Sequence, residues 1–356
     1  MAKSSERMIE SAWPARGLER VDACPVCGSR LRELLHDGLR DRIFFCAPGE
    51  WTLYRCSGCG SGYLDPRPTA ETIHLAYRNY FTHAISAERR PSPRQPFSRV
   101  FANGYRNWRF GTNDQPSSRL GVLVKALQPR RRAEIDAEMR NLLNPGPGAT
   151  LLDIGCGNGQ LLARARAIGW KAVGVDPDPQ AAEVARSRGL DVRVGGVEVL
   201  GSEQGQFDRI TMSHVIEHVH DPLTLLRACH RLLREGGQVW IETPNLDSLG
   251  HSIYGENWRG LEPPRHLVLF TDWSLRKAVC EAGYRGVEDG PHRAVCEMVF
   301  AASKAISCRR DPRVHRVPSP LERRAARKAD RLEARSPWRR EFITVIGYKG
   351  KRSNEP

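Results

Sequence analysis

The ten residues LLDIGCGNGQ at positions 151–160 constrain the fold of this chain more than any other segment. An apolar run ends in Asp153, and three glycines at alternate positions then precede a stretch that predicts a helix over residues 160–167. A second apolar run ends in Asp176, at the distance that one strand–loop–helix–strand unit needs to return to the same sheet. The pattern predicts a doubly wound α/β fold with a nucleotide-like cofactor at the glycine turn.

The spacing of the three glycines distinguishes between cofactors. They are Gly155, Gly157 and Gly159. A dinucleotide fingerprint has glycine at its first, third and sixth positions, but the sixth position counted from Gly155 is Gln160. Recognition of a pyrophosphate is therefore disfavoured. Asp153 would repel a diphosphate, whereas it attracts the ammonium of an amino-acid moiety, directly or through water.

With these residues the chain resembles the class I S-adenosylmethionine-dependent methyltransferases, whose first motif has the form strand-D-x-G-x-G-x-G and whose second strand ends in an acid. A glycine-rich turn of another doubly wound protein is the alternative. Later landmarks follow in the order of that family: a strand over residues 207–213, Asp221 as the N-cap of a helix that runs to Arg234, and a strand over residues 238–242. The segment WRGLEPPRHLVLFT at 258–271 resembles a block of the subfamily that often has a cysteine-rich N-terminus.

The resemblance covers the chain from about residue 24 to residue 348, with gaps, and implies a mostly parallel, seven-stranded Rossmann-like sheet with a final antiparallel strand. It also implies S-adenosylmethionine at the carboxyl edge of the sheet, with the glycine loop against the methionine part and Asp176 as acceptor of both ribose hydroxyls. Val197 is expected beside the adenine, and Ser213 or His214 near the sulfonium. The expected cofactor-binding residues are Asp153, Gly155, Cys156, Gly157, Gly159, Asp176, Pro177, Val197, Ser213 and His214.

Methyl transfer from a sulfonium is an in-line displacement with a good leaving group, so alignment of the reactants supplies much of the acceleration. A general base is needed chiefly when the acceptor is a hydroxyl or a carbon acid. The candidate bases are His214 and His218, at the end of the fourth strand, and His266, in the block expected to fold over the pocket. Tyr254 and Trp258 are expected to form the wall of the acceptor pocket with His266, although aromatic residues there also suit the packing of a lid.

The five residues from His214 to His218 also have the H-x-x-E-H pattern that binds catalytic zinc in inverzincins. Here the pattern lies across a strand end and a helix cap, and no third ligand is evident, so zinc is not expected at this place. Some quinone-pathway O-methyltransferases carry E-x-x-E-H at the matching place and use it for a divalent cation, but this chain has His214 where their first Glu lies. The alternative is that Glu217 and His218 only order the loop and the helix start.

Two C-x-x-C-G knuckles lie near the N-terminus, separated by 28 residues. Their cysteines are Cys24, Cys27, Cys56 and Cys59. Each knuckle aims two thiolates at one point, so the pair predicts a tetrahedral structural zinc site. A redox pair and an iron–sulfur site are the alternatives, and Cys46 is expected to be an ordinary thiol. Zinc would supply about 10–16 kcal/mol to a module that is too small to fold on its own core.

The net charge is distributed unevenly along the chain. The whole chain has a net charge of +14, but residues 151–300 have 16 basic and 20 acidic side chains, whereas residues 309–340 have 12 basic and 4 acidic ones. The resemblance to the methyltransferases implies a small-molecule, sugar or glycan acceptor, with O- or C-methylation left open. A zinc-ribbon nucleic-acid-binding protein or RNA methyltransferase is the alternative, weakened because the ribbon does not interleave basic and aromatic residues. A catalytically silent adaptor is disfavoured because the cofactor landmarks are present.

The expected organisation is a zinc-ribbon-like module at 22–68, a linker with covering helices at 69–149, and a methyltransferase domain at 150–350. Within the linker, residues 83–118 are expected to form a loop, and residues 118–143 a helix that covers the cofactor. No apolar run approaches the about 20 residues of a spanning helix, and the N-terminus lacks the apolar core of a signal peptide, so a cytoplasmic protein is expected.

A basic helical insertion is expected at about 294–340, before a last strand at 341–348. Its arginines, between Arg309 and Arg340, suit an anionic membrane surface or a phosphorylated carrier; a solvated charged helix is the alternative. A thin apolar stripe is predicted to dock the helix at 321–335 on the domain. The stripe consists of Leu321, Ala325, Ala329 and Leu332.

Overall fold

The computed structural model describes residues 12–78, 96–201, 204–314 and 318–350. The strands are β1 Leu18–Glu19, β2 Arg32–Leu39, β3 Trp51–Cys56, β4 Gly62–Leu64, β5 Arg67–Pro68, β6 Thr150–Ile154, β7 Lys171–Asp176, β8 Asp191–Val194, β9 Phe207–Ser213, β10 Leu233–Pro244, β11 Val268–Leu269, β12 Arg285–Asp289 and β13 Phe342–Tyr348. The α-helices are α1 Pro96–Phe110, α2 Val124–Leu127, α3 Pro129–Glu138, α4 Gln160–Ala167, α5 Pro179–Arg186, α6 Pro222–Leu232, α7 Leu249–Tyr254, α8 Asp272–Glu281, α9 Cys296–Ser307 and α10 Pro320–Arg335.

Within the described residues, a seven-stranded sheet has the order β12-β13-β10-β9-β6-β7-β8. The five strands from β10 to β8 run parallel, and β13 lies antiparallel between β10 and β12. Parallel strands need apolar residues on both faces, and Leu151 and Leu152 of β6 are both fully buried, each in a different core cluster. This architecture confirms the predicted doubly wound sheet with a final antiparallel strand. It also brings the carboxyl ends of β6, β7 and β9 to one edge.

The cysteine module shares its sheet with the methyltransferase region. Strands β2, β3 and β4 form an antiparallel sheet whose fourth strand is β11, and β11 comes from a segment some 200 positions later in the chain. Val268 pairs with Tyr63, and Leu269 with Gly62. Tyr63 belongs to the same buried core cluster as Phe270 and several apolar residues of the large sheet. The module therefore packs as part of the larger core.

Two of the predicted elements between the module and β6 are wrong. Residues 96–110 form α1 rather than a loop, with Tyr105 and Phe110 buried; the rest of the predicted loop up to residue 95 lies outside the described residues. The single helix predicted over residues 118–143 is instead a 3-10 turn at Arg119–Leu123 followed by α2 and α3. Pro129 begins α3, because proline removes a backbone donor and disfavours helical geometry at the preceding residue.

The predicted buried stripe of α10 is confirmed at Ala329 and wrong at its other three positions, which are exposed. Leu321 is 78% exposed and Leu332 47% exposed. The buried face consists of Ala326, Ala329, Asp330 and Glu333. Polar contacts set this phase: Asp330 accepts a hydrogen bond from the backbone N–H of Cys296, and Glu333 contacts the Cys296 thiol at 2.9 Å. The part of the segment at 315–317 lies outside the described residues.

Smaller differences occur at helix ends. Asp221 caps α6 as predicted, but α6 ends at Leu232 rather than Arg234, because Leu233 is extended and begins β10. Among the described residues, no helix has both the length and the apolar character needed to cross a membrane.

Candidate functional site

The glycine loop between β6 and α4 has a left-handed backbone. Gly155, Gly157 and Gly159 have φ angles of 67°, 54° and 79°, which residues with a Cβ rarely adopt. A Cβ at Gly155 would collide with Val215, and one at Gly159 with Leu190, whereas nothing lies within 4 Å of the position at Gly157. The loop therefore packs tightly on the protein at both ends and leaves open space at its centre, where a ligand can approach.

Asp176, at the end of β7, lies directly beside this loop. Its Oδ2 accepts a hydrogen bond from the backbone N–H of Gly157 at 2.7 Å, and its Oδ1 accepts one from Asp178 at 2.9 Å. Burial raises the pKa of Asp176, and these two N–H groups oppose the increase. Cys156 is buried beneath the loop, and Val197 begins a 3-10 turn beside β8. The structure thus brings together the glycine loop and the acid that the sequence predicts at the cofactor.

Asp153 has a partner that the sequence analysis missed. Its Oδ1 accepts hydrogen bonds from the Arg140 guanidinium and from Thr211 Oγ1, the latter at 2.8 Å. Its Oδ2 is buried and has no hydrogen-bond partner among the described residues. Arg140 follows α3 and lies over the ring of Trp240 at 5.5 Å. The cation that faces Asp153 in the structure is therefore Arg140, and a contact with a cofactor ammonium stays a prediction.

His214 lies at the carboxyl end of β9, with a left-handed φ of 55°. Its Nδ1 is 3.3 Å from Glu217 Oε1, and its Nε2 is 3.6 Å from Glu242 Oε1. Its ring packs edge-on against Phe342, with 4.7 Å between centroids. Burial lowers the pKa of His214, but the contacts with Glu217 and Glu242 outweigh burial and raise it. The side chain is still 35% exposed, so it is accessible beside the glycine loop.

Glu217 is fully buried, yet it is held as a carboxylate. Its Oε2 accepts a hydrogen bond from Thr243 Oγ1 at 2.9 Å. Burial raises the pKa of Glu217, but the hydrogen bond from His214 and the nearby His218 and His266 lower it to about 2. A buried carboxylate that accepts from Nδ1–H fixes the His214 ring and leaves Nε2 free to accept a proton.

His218 and His266 lie behind Glu217, with 4.8 Å between their ring centroids. Each uses Nδ1 to donate to a backbone carbonyl, that of Arg265 at 3.0 Å for His218 and that of Gly260 at 2.7 Å for His266. Burial lowers the pKa of His266 to about 4. One ligand atom from each of Glu217, His218 and His266 lies within 4.8 Å of the others, a spacing that could hold a divalent cation. Spacing in the sequence did not reveal that His266, rather than His214, joins this group.

The two aromatic residues predicted at the acceptor pocket have packing roles in the structure. Trp258 is 2% exposed, and its indole N–H donates to Glu341 at 2.9 Å. Tyr254 packs against Phe300, with 5.6 Å between ring centroids. These contacts account for both side chains without a ligand. Their place in the wall of an acceptor pocket therefore stays a prediction.

Glu242, at the carboxyl end of β10, is a site residue that the sequence analysis missed. It accepts hydrogen bonds from Arg293 Nη1 at 2.7 Å and from Ser213 Oγ at 3.2 Å. Its position could have been inferred, since the carboxyl ends of neighbouring parallel strands meet at the same edge of a sheet. Arg293 carries no such signal, because it reaches the site from a loop before α9.

The four knuckle cysteines form one cluster, in which three are buried and Cys27 is half-buried. The Sγ atoms of Cys24 and Cys59 are 3.6 Å apart, and those of Cys27 and Cys56 are 3.5 Å apart. All four sulfur atoms lie within 4.8 Å of one another. Backbone N–H groups donate to sulfur in each knuckle, from Val26 to Cys24 and from Gly58 to Cys56. This arrangement fits four thiolates around one tetrahedral zinc ion.

A further buried cluster contains Cys296, Glu333 and Glu341, whose potential ligand atoms also lie within 4.8 Å of one another. Here protein donors contact both carboxylates. Glu341 accepts from Trp258, and Glu333 contacts His292 at 3.2 Å as well as Cys296. Burial, together with repulsion from Glu333, raises the pKa of Glu341 to about 7. These contacts hold α9 and α10 against the segment around Trp258.

Comparisons with known proteins agree with this geometry. A family model described as a methyltransferase domain matches residues 127–289. The ubiquinone biosynthesis O-methyltransferase of Xanthomonas oryzae pv. oryzae is 42% identical over 105 residues, which cover 28% of this chain and 44% of that protein. This chain therefore spans less than half the length of that curated relative.

One similar solved structure is a Haloferax volcanii complex of the Trm112 methyltransferase activator with a methyltransferase. The sequence identity is 16% and the TM-score is 0.43, and the match covers 65% of this chain and 94% of that chain. Phosphoethanolamine N-methyltransferase 2 of Haemonchus contortus, in complex with S-adenosyl-L-methionine, has 15% identity and a TM-score of 0.44, over 82% and 63% of the two chains. Residues 127–289, which contain the glycine loop and the parallel strands β6 to β10, therefore match a methyltransferase domain.

Proposed function

We propose that this protein transfers a methyl group from S-adenosylmethionine to a hydroxyl of a small-molecule acceptor, with His214 as the general base. The observation that carries the proposal is the position of His214. It lies at the cofactor edge of the sheet, partly exposed, with Nδ1 held by the buried Glu217. The next residue, Val215, packs against Gly155 of the glycine loop. The printed name of the Xanthomonas relative, an O-methyltransferase, supports a hydroxyl acceptor.

The chemistry needs little more than alignment and removal of a proton. When bound, S-adenosylmethionine supplies an electrophilic methyl carbon on a sulfonium. His214 would take the hydroxyl proton on Nε2 as the acceptor oxygen receives the methyl group and the sulfur departs with the carbon–sulfur bonding pair. Glu217 stabilises the resulting imidazolium at the Nδ1 side, 3.3 Å away. A hydroxyl acceptor is where such a base has the largest effect, because an alcohol is a poor nucleophile until it loses its proton.

We infer that the ribose of the cofactor binds at Asp176. Asp176→Ala is expected to weaken binding of S-adenosylmethionine by roughly 10- to 100-fold, because a hydrogen bond to a charged group contributes about 1.5–3 kcal/mol. Titration calorimetry measures this directly. Asp191→Ala, which removes an exposed acid at the start of β8, is the matched control and should bind normally. An unchanged affinity in the Asp176 variant would remove this residue from the site.

We propose that the four knuckle cysteines hold a structural zinc ion. Four protein thiolates fill a tetrahedral site and leave no open position for water or substrate. The backbone N–H groups of Val26 and Gly58 stabilise negative charge on two of the sulfur atoms. The ion then connects the segment before β2 with the β3–β4 turn, on the sheet that also includes β11.

We propose that α10 attaches the protein to an anionic membrane surface. The helix separates its charges: Asp330 and Glu333 are buried, and the basic side chains of the opposite face are exposed together with Leu321 and Leu332. That exposed basic set is Arg324, Arg327, Lys328, Arg331 and Arg335. Apolar side chains beside a basic face suit a lipid surface better than a nucleic-acid backbone.

Cosedimentation with vesicles tests this attachment. We expect binding to vesicles with anionic lipid at low salt, since each basic residue near the surface contributes about 1 kcal/mol, and weaker binding at high salt. The triple variant Arg324→Glu, Arg327→Glu and Arg331→Glu should stay in the supernatant. Vesicles of neutral lipid are the control. If the wild-type protein fails to bind anionic vesicles at low ionic strength, α10 is only a solvated helix.

A further inference from the structure

A fully buried arginine connects the cysteine module to the methyltransferase domain. Arg265 contacts Asp41 through both terminal nitrogens, with Nη2 2.7 Å from Oδ1 and Nη1 3.1 Å from Oδ2. Its Nε donates to Glu262 Oε1 at 3.0 Å, and Nη1 also donates to the carbonyl of Ala76 at 2.9 Å. Both side chains of the Asp41–Arg265 pair are 0% exposed. The planar guanidinium is thereby fixed from several sides.

Asp41 is itself fixed by the loop between β2 and β3. Its two carboxylate oxygens accept backbone N–H groups at 3.0–3.2 Å. The donors are Ile43, Phe44, Cys46 and Ala47. The Phe44 ring also lies against the guanidinium of Arg265, with 4.4 Å from its centroid to Cζ. The loop therefore forms a preformed acceptor for one arginine, and it lies in the chain between the two cysteine knuckles.

The backbone of Arg265 contacts His218, beside the carboxyl edge of the large sheet. Its carbonyl oxygen is 3.0 Å from Nδ1 of His218, and two residues later the N–H of Leu267 donates to the carbonyl of Glu217 at 2.8 Å. A carbonyl only accepts, so a hydrogen bond between these two atoms places the proton of neutral His218 on Nδ1 and leaves a lone pair on Nε2. The Tyr77 hydroxyl, next in the chain to Ala76, lies 3.0 Å from the same Nδ1.

We propose that Asp41 of the cysteine module is a positioning residue for the methyltransferase site: through Arg265 it fixes the orientation and the tautomer of His218 behind Glu217. The module then has a role in the reaction although it contributes no group to the chemistry. The catalytic consequence rests on the proposed methyl transfer. The structural part does not, because the tautomer of His218 can be measured without acceptor or cofactor.

Nitrogen NMR of the full-length protein, labelled with ¹⁵N-histidine, tests the proposal. The wild-type protein should show His218 with its proton on Nδ1 only. Asp41→Asn removes the charge that holds Arg265, and it should give a second population of His218 with the proton on Nε2. Asp65→Asn is the matched control, since Asp65 is also buried in the module and pairs with Arg32 at 2.7 Å, away from Arg265.

Arg265→Lys is a second variant, which keeps the positive charge and loses the bidentate contact with Asp41. It tests the tautomer of His218 if Asp41→Asn does not fold. A purely structural role would lower the melting temperature and leave the His218 signals of the folded protein unchanged. That result in a folded variant overturns the proposal. Calorimetry with S-adenosylmethionine should give wild-type affinity in both variants. A wild-type protein that does not bind S-adenosylmethionine would contradict the proposed function instead, and the tautomer measurement would still stand.

Discussion

Replacing Cys24 or Cys59 by serine is expected to remove bound zinc and to unfold the cysteine module. Zinc contributes about 10–16 kcal/mol of apparent binding free energy to small domains of this kind, which exceeds the stability of many whole domains. The module shares its sheet with β11, and Arg265 lies three residues before that strand. We therefore expect the loss to extend to the segment that holds His218 and His266.

Zinc content by mass spectrometry, together with thermal unfolding, measures this prediction. The wild-type protein should contain one zinc ion per chain at these cysteines, and each serine variant should contain none and melt at a lower temperature. Cys280→Ser and Cys308→Ser are suitable controls, because both thiols are exposed and outside the cluster. Iron with acid-labile sulfide in place of zinc would identify a cluster instead. Serine variants with unchanged metal and stability would show that these cysteines bind none.

Local patterns predicted the parts of the site that are close in sequence. The glycine loop and Asp176 belong to one strand–loop–helix–strand unit, and the structure confirms their arrangement because such a unit has little geometric freedom. Asp221 and the helix that it caps were equally readable from a few neighbouring residues. What these features share is that a short segment alone determines their geometry.

Contacts between distant segments were not readable in this way. Arg265 and Asp41 are separated by more than 200 positions, and each looks like an ordinary surface charge in the sequence. Nothing in the sequence indicates that Arg140 pairs with Asp153, because the sequence predicts a contact between Asp153 and the cofactor. The apolar pattern of α10 predicts a different buried face from the one observed, because Glu333 is buried there beside His292 and Cys296.

His214→Ala is expected to lower turnover by about 100- to 10,000-fold, the usual contribution of a general base, while the affinity for S-adenosylmethionine stays normal. Glu217→Gln should have a smaller effect in the same direction, because the neutral amide no longer stabilises the imidazolium that forms at Nδ1. The measurement is transfer of a labelled methyl group to an acceptor identified by screening, with calorimetry for the cofactor.

His230→Ala is the matched control: His230 lies on α6 and packs against the ring of Tyr284, with 5.0 Å between ring centroids, away from Glu217. His266→Ala separates two mechanisms. His266 is 5% exposed and its Nδ1 donates to the carbonyl of Gly260, so its loss should affect turnover less than the loss of the more exposed His214. Wild-type turnover in both the His214 and His266 variants would exclude general-base catalysis by either residue. Proximity of the bound acceptor to the sulfonium would then be a sufficient account of the rate.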